Sequence, residues 1–143
     1  MTLVRPARKL THAGALHLLN AAVEAATAMG LPQCIAIVDE GCNLMVFARM
    51  DGARVLSIES ATRKAMTAAT TGQPTGGIPV DKAPALAAAT DGRMTNLMGG
   101  LPLLSGGHVI GGIGVGSGTG EQDLDIARAA VAAFDAALAE STR

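Results

Sequence analysis

The chain has 143 residues, 49% of them hydrophobic, and a formal net charge of -1. That length supports one domain, residues 1–143, with a real core. Near-neutral charge and the absence of Trp and Tyr exclude nucleic-acid binding through phosphate contacts or base stacking.

No apolar run approaches the roughly 20 residues that a membrane-spanning helix needs. Arg5, Arg8 and Lys9 precede no uninterrupted apolar segment, because Thr11, His12, Asn20 and Glu24 break it. A cytoplasmic chain with reduced Cys34 and Cys42 is therefore expected. Both cysteines are read on neighbouring strands, close enough to approach one another.

From Thr11, apolar residues at Leu16, Leu19, Ala22, Val23 and Ala26 recur at helical spacing, with Thr11 as N-cap and Gly30 as stop. Gln33 to Asp39 reads as a buried strand, Glu40-Gly41-Cys42-Asn43 as a turn, and Leu44 to Met50 as its hairpin partner. A helix is predicted from Val55 to Ala69, ended by Thr70-Thr71-Gly72-Gln73-Pro74. Between Thr75 and Asn96 the pattern is ambiguous. Asp81 can cap a short helix through Ala89, with Pro84 tolerated in its first turn. Strands return at Met98–Leu104 and Val109–Val115, with Ser105-Gly106-Gly107-His108 as their turn. A last helix runs from Glu121 to Ala139, its first turn carrying Glu121 and Asp123 where a helix N-terminus favours acidic groups. The order α-β-β-α-(α)-β-β-α implies an α/β (α+β) fold with a mainly antiparallel sheet and helices packed against it.

Several chemistries drop out on spacing alone. His12 and His17 lie five apart, which places them roughly 140° apart on a helix and prevents shared metal ligation. The two cysteines lack the CxxC spacing of a zinc site. Glycines at 112, 114 and 118 miss the dinucleotide-loop spacing, and the βαβ context is missing. Neither a nucleophile elbow nor a phosphate loop is present.

Arg49, Asp51 and Lys64 are the first polar candidates. Arg49-Met50-Asp51-Gly52 leaves a strand toward a helix, so its side chains either ring a pocket or pair to fix the turn. Lys64 interrupts an apolar helix face of Ala61, Ala65, Met66, Ala68 and Ala69, as a snorkelling lysine or a ligand-facing one. His108 is a turn residue, either simply exposed or functional. Gly99, Gly100 and the glycines from 111 to 118 can present backbone N–H groups to a carboxylate or oxyanion. Met66, Met94 and Met98 can line a pocket or fill the core.

The glycine-marked blocks Gly99-Gly100-Leu101-Pro102-Leu103, Gly111–Gly118 and Asp39–Ala53, together with the strings Arg49–Ala53 (RMDGA) and Lys64–Ala68, resemble the GlcG/HbpS-like domain family. The same domain forms the C-terminal part of some corrinoid adenosyltransferases. The resemblance covers nearly the whole chain and implies a profilin-like sandwich that binds heme or another planar, carboxylate-bearing ligand. Two departures stand out. The family's usual Gly-Val-Ser-Gly is Val115-Gly116-Ser117-Gly118 here, which moves the hydroxyl to the other strand face. The turn residue His108 replaces the Asp, Gly or Glu associated with the family.

These readings converge on a cavity ringed by Arg49, Asp51, Lys64, Gly99, Gly100 and His108. His17, His108 and Met98 are the candidate axial ligands for heme, and no other metal site is expected. The rival reading is a cofactor-free acid–base enzyme, an isomerase, tautomerase or lyase. There Lys64 or His108 would act as base, Arg49 would hold a substrate carboxylate, and glycine amides would stabilise an enolate. A third is an accessory subunit without a ligand. Ala129, Ala132, Ala133 and Ala136 beside inward Ile126, Ala130, Val131 and Phe134 make the last helix apolar on more than one side, so a homo-oligomer is expected.

Overall fold

The computed structural model describes residues 1–142. Helix α1 (His12–Ala28) is followed by the hairpin β1 (Cys34–Asp39) and β2 (Leu44–Arg49), then α2 (Ser57–Thr71) and the short α3 (Ala83–Ala89). The hairpin β3 (Gly100–Ser105) and β4 (His108–Gly116) leads into α4 (Gly120–Ser141). The strands form one four-stranded antiparallel sheet in the order β2-β1-β4-β3. The expected α+β order is thus observed.

Local sequence explains most boundaries. Thr11 caps α1 by accepting from the Gly14 N–H, and Gly30 follows the helix in the left-handed region at φ 67°. Gly72 ends α2 in the same conformation. At α4, Thr119 and Gln122 form a reciprocal capping box. Pro84 lies in the first turn of α3, as expected. The irregular chain around α3 is tied by Asn96, whose side chain accepts from the Ile78 N–H and donates to the Ile78 carbonyl.

Two differences from the sequence reading concern turns. The β3–β4 turn is Gly106-Gly107, both at positive φ, and His108 is the first residue of β4 rather than part of the turn. Cys34 opens β1 while Cys42 sits in the turn beyond its far end, separated by roughly 16 Å of strand. The two thiols are free and do not approach one another. Cys34 Sγ faces the Arg54 carbonyl and Cys42 Sγ the Met66 carbonyl. Burial pushes both thiols above the usual cysteine value, outweighing the nearby arginines.

Burial is divided by the sheet. Ile35, Ile37, Ile113 and Val115 point to one face, where Leu18, Ala22, Ala26, Ile126, Ala130 and Phe134 of α1 and α4 cover them. Cys34, Ala36 and Val38 point to the other, against Ala61, Ala65 and Ala69 of α2. Here β4 contributes Gly112, Gly114 and Gly116, and a Cβ at Gly112 or Gly114 would overlap the carbonyl oxygen of Ala65 or Ala61. The alanine stripe of α2 therefore rests directly on strand backbone. This close approach carries α2's side chains to the end of β4, where the polar groups gather.

Candidate functional site

Lys64 sits on α2 with a side chain only 5% exposed. Its Nζ donates to the Val115 carbonyl at 2.8 Å and to Asp123 Oδ2 at 2.9 Å. Asp123, 2% exposed, lies in the first turn of α4. Its Oδ1 accepts from the Gly118 N–H at 2.9 Å. One buried ion pair thus joins α2, the end of β4 and the start of α4. Gly99 is forced by this packing. It adopts φ 127°, and a Cβ there would sit 2.8 Å from the Val115 carbonyl oxygen and 3.1 Å from Lys64 Nζ. Gly100 N–H is taken by Thr75 Oγ1 at 2.9 Å, so it offers no free donor.

A cavity of about 210 Å³ opens over this pair, lined by Arg54, Ser57, Ser60, Ser117 and Met98 among others. The strand ends at Gly116, so face alternation does not govern Ser117. It takes φ 105°, and its hydroxyl accepts from the Arg54 N–H at 2.9 Å.

The remaining candidates are elsewhere. His108 begins β4 while Lys64 bonds near its end, a separation of seven residues and roughly 20 Å along the strand. His108 lies in a cleft of about 540 Å³ with Arg5, Pro6, Ala7, Arg8, Glu40, Ala69 and Val109. His17 faces a neighbouring apolar cleft of about 340 Å³ that shares Arg8 and includes Leu10, Ile110 and Phe134. Its Nε2 lies 3.3 Å from the Ala133 carbonyl. Arg49 and Asp51 are exposed and line none of these clefts. Met66 and Met94 line a further cleft with Cys42.

The single expected cavity is therefore two regions at opposite ends of the sheet. One has Lys64, Gly99 and Met98; the other has His108 and, beside it, His17. Arg49 is not their bridge, and within one chain Lys64 and His108 lie too far apart to act on one small substrate. Among the described residues no group of three or more His, Cys, Asp or Glu could hold a metal. No helix there is long and apolar enough to cross a membrane.

Sequence reasoning missed Asp123 as the partner of Lys64, reading it only as a helix-start charge. It also missed Arg54 and the N-terminal arginines as cleft residues. The available signal was weak. Asp123 is the acidic residue of that first turn on the same helical face as inward Ile126 and Ala130, which marks it as buried and hence paired.

Comparison with known proteins agrees with this architecture. A solved structure of protein ORFY from Klebsiella pneumoniae is similar with a TM-score of 0.89 and 31% identity, covering 95% of this chain and 97% of that one. A crystal structure of a PduOC–heme complex is similar with a TM-score of 0.81 and 34% identity, covering 88% and 95%. The corrinoid adenosyltransferase PduO of Salmonella typhimurium is 35% identical over 123 residues, 82% of this chain but only 37% of that protein. The family model described as haem degrading protein HbpS-like matches residues 10–132, and the chain belongs to the HbpS-like family.

Proposed function

We propose that this chain is a cytoplasmic, oligomeric heme-binding protein whose heme sits at the His108 cleft. The observation that carries the reading is the content of that cleft. An exposed imidazole without a hydrogen-bond partner among the described residues shares about 540 Å³ with two arginines and the apolar surfaces of Pro6, Ala7, Ala69 and Val109. That donor set fits the group. His108 would supply the axial nitrogen, Arg5 and Arg8 would meet the propionates, and the apolar side chains would cover the ring. Glu40, the acidic member of the cleft, is paired through one oxygen with Lys9, Arg8 donates to the Ser105 hydroxyl, and Arg5 has no hydrogen-bond or ion-pair partner among the described residues. Heme, once bound, supplies an iron that accepts the imidazole nitrogen. The similarity to a PduOC–heme complex supports the same reading. His17 is the weaker donor, because its Nε2 already faces the Ala133 carbonyl. Met98 lies at the opposite end of the sheet, with Lys64.

Hemin titration followed by visible absorption tests this. The wild-type chain and His17→Ala are expected to show the same Soret shift, and His108→Ala to lose it. An unchanged shift in His108→Ala overturns axial ligation by this residue.

Two supports bear on setting and assembly. The cysteines are free and far apart, which suits a reducing compartment. In α4, Ala129, Ala132 and Ala136 are exposed beside buried Ile126, Ala130 and Phe134, and Leu16 of α1 is also exposed. An apolar surface of this kind is best covered by a second copy, a symmetric homodimer at least. Sedimentation at micromolar concentration is expected to show no predominant species near 14 kDa, the mass of one chain; a purely monomeric profile overturns the assembly.

A further inference from the structure

We infer that the cavity over Lys64 is a second site, for a small monocarboxylate, independent of heme. Its charges set the ligand's charge. Arg54 and Lys64 face one acid, Asp123, leaving one net positive charge at the walls. Both Asp123 oxygens are already used, one by Lys64 and one by the Gly118 N–H. The carboxylate therefore directs the ammonium rather than competing for a ligand. Lys64 spends two of its three N–H donors inside the protein, and the third has no partner among the described residues. An ammonium fixed by two bonds and buried to this degree is a preset anion holder.

Backbone adds to the same field. The cavity wall includes the first turns of α2, at Ser57 and Ser60, and of α4, at Gly120. The N-terminus of α4 thus presents its positive end to this space, while the Ser57 and Ser60 N–H groups of α2 are taken by the Arg54 and Leu56 carbonyls. In α4 the capping box satisfies Gln122 and Thr119, while the Gly120 N–H has no protein partner among the described residues.

Size and shape then narrow the class. About 210 Å³ lies below the roughly 300–1,000 Å³ of ordinary ligand pockets, so the occupant has a few heavy atoms and is no tetrapyrrole. A planar carboxylate suits the guanidinium fork of Arg54. Leu97 and Met98 offer an apolar wall for a short alkyl group, which an inorganic anion lacks. A dicarboxylate would bring a second charge that the walls do not match.

Acetate and propionate, titrated into isotope-labelled protein and followed by amide chemical shifts, test the site. The Ser57, Ser60, Gly118 and Gly120 amides are expected to move together and saturate. Propionate should bind more tightly than acetate, and malonate and inorganic phosphate more weakly than either. Arg54→Ala, an exposed substitution, should weaken propionate about tenfold while leaving the hemin titration unchanged. Absence of saturable shifts at these amides overturns the site. Binding of phosphate or malonate as tight as propionate overturns the monocarboxylate class. Loss of the hemin shift in Arg54→Ala overturns the independence of the two sites.

Discussion

Replacing Lys64 by Met is expected to cost about 3–5 kcal/mol of folding stability, the usual effect of removing one partner from a buried ion pair. The cost arises mainly from what remains. Asp123 is 2% exposed and would keep one N–H bond, from Gly118, while its other oxygen would face no cation. The Val115 carbonyl would lose its side-chain donor as well. Urea unfolding of Lys64→Met should show a lower midpoint with an unchanged slope. The double variant Lys64→Met/Asp123→Leu should recover much of the loss, because no stranded charge is left, giving a coupling of about 1–3 kcal/mol. A single-variant cost below about 1 kcal/mol would show that the pair is solvated and that the preset ammonium does not exist.

That pair also shows where sequence reading stops. Periodicity placed Lys64 on an apolar helix face and Asp123 in a first helical turn, and both placements hold. Neither spacing could say that the two groups meet, because their contact spans 59 residues and depends on how closely α2 approaches β4. Elements with local signals were legible: Thr11 as a cap, Gly30 and Gly72 as stops, the unbroken apolar run of β1; the Thr119 cap of α4 was not among them. The order β2-β1-β4-β3 was not, since antiparallel hairpins can be laid side by side in more than one way. That order, with the direction of β4, is what sends His108 to one end of the sheet and Lys64 to the other. A candidate list made from residue types alone merged two regions that the strand keeps apart.

The sequence pattern offers the glycines of β4 as N–H donors to a ligand, whereas in the fold Gly112 and Gly114 make room for the backbone of α2. Glycine at alternate positions of a strand weakens it unless another backbone comes close. Gly114 is the tightest case, and Gly114→Ala is expected to destabilise the protein by more than about 3 kcal/mol, above the ordinary range for overpacking. The added Cβ would overlap the Ala61 carbonyl oxygen and lie 2.5 Å from the Ala65 nitrogen, both backbone atoms in the middle of α2. No rotamer change relieves that. The helix must lift, taking Ala61 and Ala65 off Cys34 and Ala36 and pulling Lys64 from Val115 and Asp123. Gly77→Ala is the matched control: nothing lies within 4 Å of its added Cβ. Its effect should stay within about 0.5 kcal/mol. Because the clash is with helix backbone, Ala61→Gly should not rescue Gly114→Ala. Thermal unfolding of the three variants beside the wild type decides the matter. A Gly114→Ala chain that melts with the wild type, or a rescue by Ala61→Gly, would mean that side chains rather than backbone set the distance between α2 and the sheet.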